Sequence, residues 1–81
     1  MTPEQLRGLE RLQLRWPERR YALATVSEPL LLELCADYEA ASVAMALWAQ
    51  KPGLRDLGVV EEYRRLLKEL EDELEAALAP K

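Results

Sequence analysis

The sequence contains no histidine, isoleucine, phenylalanine or asparagine, and Cys35 is its only cysteine. Each absence closes a class of function. Without histidine, the commonest acid–base catalyst and the commonest metal ligand are both missing. A lone cysteine forbids a disulfide within the chain, and with no histidine to activate it a Cys–His nucleophile is excluded. Ser27 and Ser42 lack a histidine base for the same reason. Serine–lysine chemistry needs a buried lysine, whereas Lys51, Lys68 and Lys81 fall on turn, exposed-face and terminal positions. The three glycines stand apart at positions 8, 53 and 58, so no glycine-rich phosphate loop is present. No apolar run is long enough for a membrane span, and no secretory leader pattern is visible. Together with the single free thiol, these features lead us to expect a cytoplasmic protein.

What remains is helix. Leucine, alanine, glutamate and arginine dominate, and all four favour helices. Valine, threonine and tyrosine are few, so strand formers are scarce. The excess of arginine over lysine fits a GC-rich genome or a thermophile. A chain of 81 residues has room for one domain with a thin core. Its further stability is expected from well-formed helices or a partner chain.

Charge is unevenly distributed along the chain, whose net is −4. Residues 1–26 carry five arginines against three glutamates, a net of +2. Residues 27–50 carry Glu28, Glu33, Asp37 and Glu39 with no base, a net of −4. Residues 51–81 carry six bases and eight acids, a net of −2. The acidic total argues against non-specific nucleic-acid binding by the whole chain.

Three helices follow from the apolar spacing. The first spans about residues 3–15, opened by Thr2 as cap, Pro3 at the first helical position and Gln5 completing a capping box. Leu6, Leu9 and Leu12 form its stripe, Leu14 lies off it, and Gly8 weakens it by about 1 kcal/mol relative to alanine. Trp16-Pro17 breaks it. Residues 17–26 read equally as a short helix, with Tyr21 and Leu23 or Ala24 inward, or as an irregular crossing. The second helix is expected over about 28–50, capped by Ser27. Its seam of Leu31, Leu34, Tyr38, Ala41, Met45 and Trp48 has alternating spacings of three and four, as in a coiled coil. Leu30, Ala40, Ala44 and Leu47 widen that seam on one flank, and Cys35 and Ala49 on the other. A turn over Lys51–Asp56, with Asp56 as cap, leads to a third helix over about 57–78. There Val60, Tyr63, Leu67, Leu70, Leu74 and Ala77 repeat the seam, and Glu61–Arg65, Arg65–Glu69 and Lys68–Asp72 are set for i,i+4 pairing. The expected fold is all-α: an antiparallel hairpin of two long helices with the shorter first helix across it, completed to a four-helix-type core by dimerisation.

Candidate sites are few. Glu33 and Asp37 lie one helical turn apart and could hold Mg²⁺ through carboxylates alone, but di-metal bundles pair glutamate with histidine; the expected role is a solvated face or acid partners for the arginines of residues 7–20, with no metal and no cofactor. Arg7, Arg11, Arg15 and Arg19 recur every four residues and Arg20 follows; with the first helix running through residue 15, the first three form a ridge on one face. That ridge either pairs with the acidic second helix or meets phosphates, with Trp16 and Tyr21 available to stack on bases. The charge asymmetry favours pairing with the acidic second helix, in the same chain or in a neighbour. Trp48, near a turn, is a candidate partner anchor. The expected function is a non-enzymatic protein–protein interaction or adaptor module that self-associates, a dimer being favoured. Arg7, Arg11, Arg15, Trp16 and Trp48 are its candidate surface, and a further protein partner is compatible with it. The alternative is a small nucleic-acid-binding regulator using the arginine row.

Overall fold

The structure, a computed structural model, describes residues 1–50 and 57–78, and every element among them is helical. α1 runs Pro3–Arg15, a short 3₁₀ turn spans Pro17–Arg19, and α2 runs Arg20–Ala24. α3 spans Pro29–Ala49 and α4 spans Leu57–Leu78. The expected turn at Lys51–Asp56, with its cap, lies outside the described residues.

Local chemistry accounts for the helix ends. The Thr2 hydroxyl accepts the Gln5 amide at 3.1 Å, and the Gln5 side chain accepts the Thr2 amide at 2.8 Å. Two amide groups that helix geometry leaves unpaired are thereby satisfied. At the other end the Trp16 amide still reaches the Leu12 carbonyl at 2.8 Å, but Pro17 forces Trp16 out of helical conformation. Pro17 then opens the 3₁₀ turn, since its fixed φ suits a first helical position.

The start of α3 differs from expectation in an instructive way. Its cap is Glu28, not Ser27, and no side chain caps it. Pro29 occupies the first helical position and pushes the residue before it, Glu28, into extended backbone. Ser27 is therefore one residue too far away. The short segment before it also departs from expectation. Leu23 points into the core, whereas Tyr21 is 88% exposed and Ala24 is exposed. With only five residues, α2 has one inward position to fill.

α3 packs against α1 on one flank and α4 on another. α1 meets α3 at Gly8, where an added Cβ would stand 1.8 Å from the Cys35 carbonyl oxygen. The backbones approach closely because Gly8 has no side chain. Glu28 and Leu31 at the start of α3 lie beside Ala77 and Leu78 at the end of α4, and Tyr38 reaches Glu71. One contiguous core joins Leu9, Leu12 and Trp16 to Leu23, to Leu31, Cys35, Tyr38 and Ala41, and to Leu67, Leu70 and Leu74. On the outside of α4 the pairing differs from the expected set. Lys68 meets Asp72 at 3.6 Å, but Glu61 pairs with Arg64 at 3.0 Å rather than with Arg65. Exposed pairs of this kind contribute little, about 0.3–0.5 kcal/mol, so the exchange leaves the fold unaffected.

α3 differs from its neighbours in being apolar nearly all round. Leu30 is 70% exposed and Leu47 54% exposed, in addition to the buried seam. A helix with this distribution normally sits inside a larger assembly of helices. No helix among the described residues is long and apolar enough to cross a membrane.

Candidate interaction surface

The ridge of arginines comes from the four-residue spacing on α1, which brings successive side chains to neighbouring positions. The structure divides it. Arg11 Nε lies 2.5 Å from Glu39 Oε2 of α3, and Glu39 is buried. Arg15 Nε lies 3.6 Å from Glu71 Oε2 of α4. Arg7 is exposed and has no ion-pair partner among the described residues. Arg11 thus meets the acidic segment of residues 27–50, whereas Arg15 goes to a different helix. Glu33 and Asp37, also possible partners in the sequence, form no ion pair among the described residues.

Glu71 also accepts the Tyr38 hydroxyl at 2.7 Å, so one carboxylate ties α1, α3 and α4 together. Burial raises the Tyr38 phenol first, and the hydrogen bond and negative charge of Glu71 add to that. The charges of Arg15 and Arg11 oppose the rise, and the net result is a shift from 10 to about 12. The contact buries the Tyr38 hydroxyl between the helices, while the Arg15 side chain stays exposed at its edge.

The two tryptophans separate as well. Trp16 is buried in the core, and the Arg19 guanidinium lies 5.3 Å from its ring centroid, in cation–π range. A ring so placed is closed to stacking with bases. Trp48, near the end of α3, is part-buried. Cys35 is buried, and desolvation raises its thiol pKa, which disfavours the reactive thiolate. Among the described residues no three histidine, cysteine, aspartate or glutamate side chains gather to hold a metal.

The surface that stands out lies elsewhere. Between α3 and α4 runs an open groove of about 500 Å³, lined by Asp37, Ala40, Ala41, Ala44, Tyr63, Leu66 and Leu70. Leu66 is 41% exposed within it. The alanines keep its floor low, so a visiting side chain can approach the α3 backbone. Ala40 and Ala44 lie about 100–180° around α3 from Cys35 and Glu39, the residues facing α1. The groove is therefore on the flank that α1 leaves uncovered. In the sequence the flanking row of Leu30, Ala40, Ala44 and Leu47 reads only as extra seam width, and the arginines and tryptophans are the more conspicuous residues. The signal present was the unusual number of apolar positions on α3. No known protein family, no curated protein and no solved structure matches the chain.

Proposed function

We propose that the chain is a small non-enzymatic interaction module, a helical hairpin of α3 and α4 whose open groove is covered by a second copy of the chain. The observation that carries this reading is the apolar groove on the flank of α3 away from α1. Two long helices with wide apolar faces and one short covering helix leave such a surface exposed. Association would complete a four-helix-type core, with a dimer as its smallest product. The adaptor role follows from this: the module works by bringing chains together, in the cytoplasm. The nucleic-acid alternative draws less support, because Arg11 and Arg15 are engaged with carboxylates and Trp16 is buried.

Association makes thermal stability depend on concentration. The melting temperature of the native chain is expected to rise by several degrees between about 1 and 100 μM, a range equivalent to about 2.7 kcal/mol of binding free energy. Leu66→Glu, which places a carboxylate in the groove, should abolish the rise while leaving the helix content intact. A melting temperature independent of concentration in the native chain would contradict the proposal.

A further inference from the structure

The groove is acid-rimmed. At about 100° per residue, Glu33, Asp37, Ala40 and Ala44 share one face of α3 within about 60°. Glu62, Leu66, Glu69 and Glu73 share one face of α4 within a similar arc of about 60°. All five of these acids are exposed, and none has an ion-pair partner among the described residues. Two such faces set against each other would place acid against acid, so the groove is a poor partner for its own copy.

The opposite surface has the complementary character. Leu14 on α1 is 81% exposed and stands between two shallow hollows. Arg7 and Arg11 flank it in one, where Glu39 pairs with Arg11, and Arg20 flanks it in the other, with Glu10 common to both. Arg7 is one heptad before Leu14 and therefore on the same face of α1. Neither Arg7 nor Arg20 has an ion-pair partner among the described residues. Glu10 has none either, so the face carries two free bases against one free acid around a projecting leucine, set against a low apolar floor between free carboxylates.

From this match we propose that the second copy fills the groove with the outer face of its α1, Leu14 seated on Ala40, Ala44 and Leu66 and Arg7 and Arg20 meeting the acidic rims. This inference rests on the self-association proposed above and specifies its geometry. The two surfaces lie on opposite sides of the α3–α4 pair, so the contact does not close between two copies. Chains add head to tail, and each α3–α4 pair lies between its own α1 and its neighbour's.

Two variants test the arrangement. Arg7→Glu/Leu14→Glu spoils the outer face, and Leu66→Glu spoils the groove. All three side chains are exposed, so circular dichroism should report unchanged helix. Each variant alone should self-associate at least about ten-fold more weakly than the native chain. Their equimolar mixture, weighed by native mass spectrometry, should give a one-to-one complex that grows no further, because it holds one intact outer face and one intact groove. If the outer-face variant associates as the native chain does and the mixture yields no one-to-one complex, the inference is overturned while self-association stands. A native chain that stays monomeric overturns both. The native protein supplies a check that needs no variant. Association between opposite charges should weaken severalfold as salt rises from about 50 to 500 mM, whereas groove-to-groove contact between acidic faces should strengthen.

Discussion

Gly8 lacks a side chain where the Cys35 carbonyl stands 1.8 Å from the position a Cβ would take. Helix propensity alone favours alanine there by about 1 kcal/mol. Packing reverses the sign, because the obstacle is backbone and can yield only if α1 and α3 separate. We predict that Gly8→Ala lowers stability by roughly 1–3 kcal/mol, the usual cost of overpacking, as read from the urea midpoint of unfolding. A gain in stability would show that the two helices can part at little cost. The sequence exposes Gly8 as a weak point in a helix but not its reason, since the reason lies 27 residues further along the chain. Leu14 is a similar case: it reads as an apolar residue off the stripe, and its significance comes from the arginines around it in space.

At the scale of elements, the ends of helices were the most legible features. Thr2, Pro3 and Gln5 announce α1 through contacts spanning three residues, and local chemistry of that range is visible in a sequence. The exception at Ser27 is also local: Pro29 moves the cap to Glu28 through its restriction on the preceding residue. Which helix faces which was less legible. Acidic segment and arginine row suggested a pairing of α1 with α3, yet Arg15 pairs with Glu71 on α4, a choice fixed by three-dimensional packing. The same carboxylate holds Tyr38, and this gives the junction a pH signature. The folded phenol keeps its proton up to about 12 against its usual 10, so its contribution is complete below pH 10 and is lost as pH rises through 12. Between those values the native chain should lose up to about 3 kcal/mol from this group. Tyr38→Phe removes the titrating group, and its urea midpoint should fall less steeply between pH 9.5 and 11.5, taken as roughly the accessible part of that window. Parallel slopes for the two proteins would mean that Tyr38 is neither buried nor bonded to Glu71 in solution.

For the whole molecule, the all-helical class followed directly from composition, because strand formers are scarce and helix formers abundant. The apolar excess of α3 was legible too, as a seam wider than one neighbour needs. Its position was not, since only the placement of α1 shows which flank stays open. What covers the α3–α4 groove is therefore decisive, and the proposed cover is another copy of the chain. Sedimentation equilibrium of the native protein from about 1 to 100 μM measures this directly. The weight-average mass is expected to rise above that of one 81-residue chain as concentration increases, and a Leu66→Glu variant to remain at the single-chain mass. A native chain holding the single-chain mass across the whole range, folded and helical, would contradict it.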